Sequence, residues 1–374
     1  MPPEIYGGAE QQCLRLSRSL VERGRDVIIL TASHSQEHAE DDVIDGVRVI
    51  RFPTRHSPDH GGRHILSTVK WTTAVYGWLR RHRRQIGVVH VHQGKLHVLP
   101  ALLAQAWLGL PFIMKVGSAE EQFDYLRMTR KSGGYGPLVL KQVIKRCSRH
   151  VAISSRIVDQ MRQIGVPSDR IRRIPNGIDI EQFPFDSSRH AGEDKTFVFM
   201  GRLVDEKQPL MMLRCFADIL QAGGRHQLIV IGDGPLLETM ASFVRDSGLV
   251  EGVQLVGRLD DVRPVLSKAH FFLLPSKNEG MSNALLEAMS LGLVPIASAV
   301  SGSTDIVRHD DNGYLFDRDD EATFTACLRT AASMSDAHWR TMREAARLTI
   351  VGEHVMADIA GTYVDLYQSL GHER

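Results

Sequence analysis

The 374-residue chain is long enough to bury two sizeable cores, and 43% apolar with 24% charged residues fits an ordered globular protein and excludes a disordered one. Its four cysteines, Cys13, Cys147, Cys215 and Cys327, stand far apart with no C-x-x-C pair, which argues against a zinc site or a disulfide framework and fits a reducing compartment. A net charge of +1 hides an asymmetry: residues 1–180 hold 27 Lys/Arg against 16 Asp/Glu, and residues 181–374 hold 18 against 28, so the two halves are expected to face different partners.

The predicted elements alternate helix and strand. Residues 9–23 read as an amphipathic helix, with Cys13, Leu14, Leu20 and Val21 on the apolar face. "DVIIL" (26–30), "VRVIRF" (47–52), "GVVHVH" (87–92), "PFIMKV" (111–116) and "HVAIS" (150–154) read as strands with helical stretches between them. "RIRRIPNGID" (170–179) is a strand and a turn. A second series starts with a strand and its loop at 196–203 and a strand running into a Gly turn at 226–235, followed by strands at 253–257, 270–276, 293–298 and 313–316. Helices are expected at 208–222, 236–247, 261–268, 282–291, 320–332 and 336–370.

Repeated units of this kind predict an α/β protein: two Rossmann-like domains whose parallel sheets face a central cleft. The polar, turn-rich "FDSSRHAGED" is the expected joint. The expected domains are 1–183 and 184–350, with 351–374 as a closing helix. No apolar run approaches the roughly 18 residues of a spanning helix, and no basic-then-apolar leader is present, so a cytoplasmic location is expected.

Among the motifs, "PSKNEGMSNALLEAMSLGLVPIAS" (275–298) carries the most chemistry. Glu279 and Glu287 are eight residues apart, the first in a loop after a buried strand and the second inside a helix. Gly280, Met281, Ser282 and Asn283 lead into that helix and offer backbone N–H groups, which together with the helix dipole suit a diphosphate. Ionised carboxylates accept hydrogen bonds only, so two of them there can hold sugar hydroxyls. A first-turn acid and a solvated helix glutamate are the plainer alternative.

Arg202 and Lys207, in "MGRLVDEKQP" (200–209), follow the first strand of the second series and can neutralise a leaving diphosphate; taken alone they also read as surface charge. "VIGDGP" (230–235) is either a working Gly-rich loop or a tight turn. No G-x-x-x-x-G-K-[ST], H-E-x-x-H or G-x-S-x-G pattern occurs, which weighs against P-loop, metalloprotease and hydrolase chemistry.

In this order the pieces resemble the retaining glycosyltransferases of family 4, which have the GT-B fold. The landmarks are "YGGAEQ" (6–11), "VVHVHQ" (88–93), "VAISSRI" (151–157), "IPNGIDIEQF" (174–183), "FMGRLVDEK" (199–207), "VIGDGP" (230–235), "LVGRLDDV" (255–262) and "NEGMSNALLEAMSLGLVPIAS" (278–298). The resemblance implies that Glu279 holds donor-sugar hydroxyls and Glu287 the ribose. Arg202 and Lys207 would meet the diphosphate, Gly8 would lay its N–H against it, and backbone around Arg258 and Leu259 would meet the base. Asn176 would lie at the edge of the cleft.

A UDP- or GDP-sugar donor, a glycan or lipid-linked acceptor, and a mechanism with no metal or cofactor are implied, with configuration retained. Two alternatives are a GT-B-fold sugar-nucleotide epimerase and a truncated, non-catalytic member. Many members carry a histidine where this chain reads Gly117-Ser118; Lys115, Ser118 or His92 can take its place, and His92 can equally be structural. Asp305 stands where the family favours Glu.

The family also starts with an apolar strand ahead of the glycine pair, whereas this chain opens at "MPPEIYGGAE". The expectation is a first domain lacking its first strand, from a truncated chain. Finally, "RRHRRQ" (80–85) and "RMTRKSGGYGPLVLKQVIKRC" (127–147) concentrate positive charge. They read as a solvated face or as a patch for the anionic inner face of the cytoplasmic membrane; no recognition motif points to nucleic acid.

Overall fold

The computed structural model describes residues 7–33, 40–54, 65–131, 134–223 and 225–372. Tyr6 of the first landmark and residues 132–133 of the second basic stretch lie outside them. The chain divides into two compact units, Met1–Gly177 with Met356–Arg374, and Ile178–Val355.

Unit 1 opens with α1 (Gly8–Glu22), β1 (Ile28–Ser33), β2 (Asp41–Ile44), β3 (Val47–Pro53) and α2 (Ile65–His82). It continues with β4 (Val89–His92), α3 (Leu99–Leu108), β5 (Phe112–Val116), α4 (Asp124–Lys131), α5 (Gly136–Arg146), β6 (Arg149–Ala152), α6 (Ser155–Gln163) and β7 (Ile171–Arg173). Its strands form two sheets, ordered β1-β3-β2 and β4-β5-β6-β7. All pairs are parallel except β2 with β3.

The same helices cover both sheets. On one face, Leu16 and Leu20 of α1 pack with Ile113 of β5 and Val151 of β6, while Cys13 of α1 packs with Ile29, Val47 and Val49. On the other, Trp71, Val75 and Leu79 of α2 gather Leu30, Ala32 and Phe52 together with Val89 of β4. β1 and β4 are therefore edge strands of one layer, with no neighbouring strand between them among the described residues.

β2 was not expected. It pairs antiparallel with β3 through Asp45-Gly46, whose φ values of 50° and 79° are those of a tight hairpin turn. An Asp-Gly pair between two runs rich in β-branched residues, Val43-Ile44 and Val47 to Ile50, is the sequence signal for such a hairpin.

Unit 2 is one six-stranded parallel sheet, ordered β10-β9-β8-β11-β12-β13. The strands are β8 (Thr196–Met200), β9 (Gln227–Ile231), β10 (Val253–Gly257), β11 (Phe271–Leu274), β12 (Val294–Ser298) and β13 (Tyr314–Phe316). Helices α7 (Pro209–Gln221), α8 (Leu237–Asp246), α9 (Arg263–Leu266), α10 (Asn283–Ser290), α11 (Ser301–Ile306), α12 (Glu321–Ala332) and α13 (Asp336–Glu353) connect and cover it. The inner strands β11 and β12 are buried along their whole length, which is why they read as unbroken apolar runs. The segment 185–194, read from sequence as the joint, belongs to unit 2, where Phe185 stacks on the Arg343 guanidinium of α13 at 4.3 Å.

The expected helix 336–370 is two helices, α13 and α14 (Met356–His372). The break falls at His354-Val355, where the Ile178 N–H donates to the His354 carbonyl at 2.8 Å and Val355 pairs with Ile178. Gly352 weakens the last turn of α13, and the long-range bond to Ile178 sets where the helix stops. α14 belongs to unit 1, where Met356, Ile359, Ala360 and Tyr363 pack against the α1 face. Gln12 of α1 clamps the turn after β7 with both ends of its amide: Nε2 donates to the Gly177 carbonyl at 2.9 Å, and Oε1 accepts from the Gly177 N–H at 3.3 Å.

Candidate functional site

The loops at the carboxyl ends of β8, β11 and β12 build the main constellation, in unit 2. After β11, Ser276 and Glu279 turn toward the loop after β8, which carries Lys207. Glu279 Oε1 accepts from the Lys207 ammonium and, at 2.8 Å, from Ser276 Oγ. Both charged side chains are largely shielded, 10% exposed for Glu279 and 18% for Lys207. Shielding strengthens the attraction within the pair, at a desolvation cost, and makes loss of either partner costly.

The two loops are also joined by backbone, the Lys277 N–H donating to the Glu206 carbonyl at 2.8 Å. Ser276 is itself held from β12: Ser298 Oγ donates to the Ser276 carbonyl at 2.5 Å. Ser276 and Ser298 were not singled out from sequence, where "PS" and "AS" at two strand ends gave no sign that they meet.

α10 starts just beyond Glu279. Ser282 is its N-cap, with extended backbone and Oγ accepting from the Leu285 N–H at 3.3 Å. The helical series of N–H groups begins at Asn283, and Gly280 and Met281 lie in the turn that leads into it. Glu287 sits inside α10 and is buried, so the solvated-glutamate alternative does not hold for it.

Gly302 supports the turn from below. A Cβ there would fall 2.2 Å from the Gly280 carbonyl oxygen and 2.6 Å from Met281 Cα. Both obstacles are backbone, so Gly302→Ala must displace the 280–281 turn. The expected result is a loss of about tenfold in nucleotide-sugar affinity with a destabilisation of about 1–3 kcal/mol, read by calorimetric titration and urea unfolding.

The Gly-rich turn after β9 resolves toward packing. A Cβ at Gly232 would fall 1.9 Å from the Gly201 carbonyl oxygen, and one at Gly234 would fall 2.5 Å from that of Leu203. The Leu203 N–H also donates to the Asp233 carbonyl at 2.9 Å. These glycines let the β9 turn brace the loop that carries Arg202. Arg202 itself is exposed and joins no ion pair among the described residues. Arg258 and Leu259 follow β10 at the same edge of the sheet, exposed and half-buried respectively.

The other candidates lie in unit 1. Gly8 is the first residue of α1; ahead of it Gly7 makes room for the Glu10 carboxylate, which a Cβ would meet at 2.3 Å. His92 ends β4, its ring 4.2 Å from that of His90, and burial with neighbouring His90, Lys115 and His97 holds its imidazole well below the usual range. Burial likewise lowers the Lys115 ammonium to about 8, and its nitrogen lies 5.9 Å from the Tyr363 ring centre. Asn176 is buried beside the clamped Gly177. Among the described residues no group of three His, Cys, Asp or Glu side chains is placed to hold a metal ion.

Two α/β units of parallel strands, one presenting a shielded carboxylate–ammonium pair ahead of a capped helix, define the GT-B class of glycosyltransferases. The family model "Glycosyltransferase Family 4" matches residues 6–182, and "Glycosyl transferases group 1" matches residues 194–333. The chain belongs to glycosyltransferase family 4 and is a glycosyltransferase that uses a nucleoside-diphosphate sugar.

Among similar proteins, the UDP-Gal:alpha-D-GlcNAc-diphosphoundecaprenol alpha-1,3-galactosyltransferase of Escherichia coli is 26% identical over 71% of this chain and 70% of its own length. The lipopolysaccharide 1,6-galactosyltransferase of the same species is 33% identical over 48% of this chain and 51% of its own length. Anabaena HepE, solved in complex with UDP and glucose, superposes with a TM-score of 0.76 at 15% identity, over 97% of this chain and 96% of its own. The Thermosynechococcus elongatus sucrose-phosphate synthase superposes with a TM-score of 0.80 at 20% identity, over 98% and 94%. At these identities the solved structures speak for the fold.

Proposed function

We propose that this chain is a retaining glycosyltransferase that moves a sugar from UDP or GDP to a lipid-linked or glycan acceptor. The observation that carries the reading is the Lys207–Glu279–Ser276 constellation at the turn before α10. One oxygen of Glu279 holds Lys207 and Ser276; its other oxygen is assigned to hydroxyls of the donor sugar. Arg202, Lys207 and the dipole of α10 stabilise the departing diphosphate, so charge is neutralised by groups fixed beforehand in a shielded site.

Glu287 is assigned to the ribose, the Gly8 N–H to the diphosphate, and the backbone at Arg258 and Leu259 to the base. His92 and Asn176 are assigned to the sugars from unit 1. With the leaving group handled electrostatically, the acceptor attacks on the face it leaves, and configuration is kept. The lipid-linked class is supported by the E. coli relative, whose name specifies a diphosphoundecaprenol acceptor.

Nucleoside diphosphate release from a panel of UDP-, GDP- and ADP-sugars tests the reading. Release from one of them is expected; release from none would overturn it. An NMR spectrum of the product made from an α-linked donor should show an α linkage, and a β linkage would overturn retention.

A membrane-facing surface belongs to the same reading. The outer helix layer of unit 1 exposes Leu66 and Val69 of α2, Trp107 of α3 and Leu138 of α5, all more than half accessible. Arg80 and Arg81 close α2, and Lys145 and Arg146 close α5. Exposed apolar side chains and basic helix ends on the same elements suit an anionic bilayer surface. Co-sedimentation with phosphatidylglycerol vesicles is expected at low salt, weakened by salt and by Trp107→Ser with Leu138→Ser. Equal sedimentation with neutral phosphatidylcholine vesicles would contradict it.

A further inference from the structure

We propose that Asp124 is a positioning residue that fixes the two loops after β4 and β5 of unit 1 in the form that receives the acceptor. This rests on the transferase reading above, with the acceptor on unit 1.

Asp124 is the first residue of α4 and only 2% exposed. Its Oδ2 accepts from the Gly117 N–H at 2.9 Å, in the loop after β5. Gly94, in the loop after β4, packs directly against it, and the polar groups of Gly94 and Ser118 favour its charged form. One buried carboxylate thus ties two loops that are eighteen or more residues apart in sequence. Burial raises its pKa, and the Gly117, Gly94 and Ser118 polar groups with nearby Lys95 act in the other direction.

The fit around it is close. A Cβ at Gly94 would fall 2.8 Å from Asp124 Cβ and 3.0 Å from Tyr125 Cδ1. Both loops also carry a residue in the left-handed region that is not glycine: Gln93, with φ of 71°, and Glu120, with φ of 54°. Such conformations persist only where the surroundings fix them, and they gather at functional sites.

Glu120 has its own clamp. Its N–H donates to Gln160 Oε1 at 2.8 Å, and Gln160 Nε2 donates to its carbonyl at 3.2 Å. Among the described residues Gln93 has no such side-chain clamp; its neighbour Gly94 packs against Asp124. The loops stand at the carboxyl ends of parallel strands, where α/β sheets receive ligands, and His92 immediately precedes the first of them.

The test is Asp124→Asn, which keeps shape but replaces one acceptor oxygen with an N–H₂ donor that opposes a backbone N–H. Asp124→Glu, which keeps both acceptors, is the companion. Kinetics are measured with the nucleotide sugar that the wild type hydrolyses fastest and, as acceptor probes, a panel of octyl glycosides. For Asp124→Asn the acceptor KM is expected to rise about tenfold to a hundredfold. Donor hydrolysis without acceptor, nucleoside diphosphate affinity and kcat stay near wild type, and Asp124→Glu recovers part of the loss.

A merely structural role would lower the melting temperature and leave the acceptor KM unchanged; that result, or a parallel fall in donor hydrolysis, overturns the proposal. A wild-type chain that hydrolyses no donor and glycosylates no probe overturns the transferase reading instead.

Discussion

Glu279→Ala is expected to lower turnover by about 10²–10³-fold while the chain stays folded, the range seen when one preorganised charge-stabilising group is removed. Two effects combine. The carboxylate that would hold the sugar is gone, and Lys207 is left as a shielded ammonium with no counter-charge, while Ser276 Oγ loses its acceptor. A charge-assisted bond of this kind contributes roughly 1.5–3 kcal/mol, so a modest loss of stability should accompany the loss of rate.

Binding separates the roles. UDP or GDP lacks the sugar, so Glu279→Ala should leave the free nucleotide's affinity nearly unchanged and weaken the sugar nucleotide. Lys207→Met should weaken both, because the diphosphate is common to them. Since the two side chains touch, Glu279→Gln with Lys207→Met should cause less than the product of the single losses. Calorimetric titration with nucleotide and sugar nucleotide reads all of this. Equal weakening of both ligands by Glu279→Ala would show that Glu279 serves only to brace Lys207.

What was legible in the sequence follows the range of the forces involved. The inner strands of unit 2 were legible because burial on both faces leaves an unbroken apolar run, as in "FFLL" and "VPIAS". The α10 start was legible because a serine cap acts on an N–H three residues away. The turn after β9 was legible as Gly-rich but not as a brace, because the Gly201 and Leu203 backbone it meets is about thirty residues distant.

Ser276 with Ser298, Gly302 under Gly280, and Asp124 with Gly94 share that obscurity. Each is a contact between loops that only the sheet order brings together. The His354-Val355 break is the extreme case, since the N–H that meets the His354 carbonyl belongs to Ile178. The Asp45-Gly46 hairpin was the opposite, a local signal present and not used.

Fusing an apolar strand of about six residues ahead of Met1 is expected to raise the melting temperature by about 6–12 °C. β1 and β4 each end a sheet, yet both lie in the layer between α1 and α2. Each presents ladder N–H and C=O groups along one side. A strand that enters α1 and continues to β1 would make a parallel crossover, and since β3 takes one edge of β1, the incoming strand has the other.

An incoming strand would gain ladder bonds on both edges and bury its side chains against α1 and α2. Against that stands the ordering of its backbone and side chains, about 1–2 kcal/mol per residue. A net gain on the order of 3 kcal/mol corresponds to the stated shift at about 2–4 °C per kcal/mol. A Gly/Ser extension of equal length should give no gain, and a proline at the centre of the apolar strand should cancel it, since a central strand cannot spare an N–H. Hydrogen exchange at the amides of β1 and β4 should slow with the apolar strand alone. Unchanged exchange at both, with equal melting of the apolar and Gly/Ser versions, would mean that the layer between α1 and α2 is already closed.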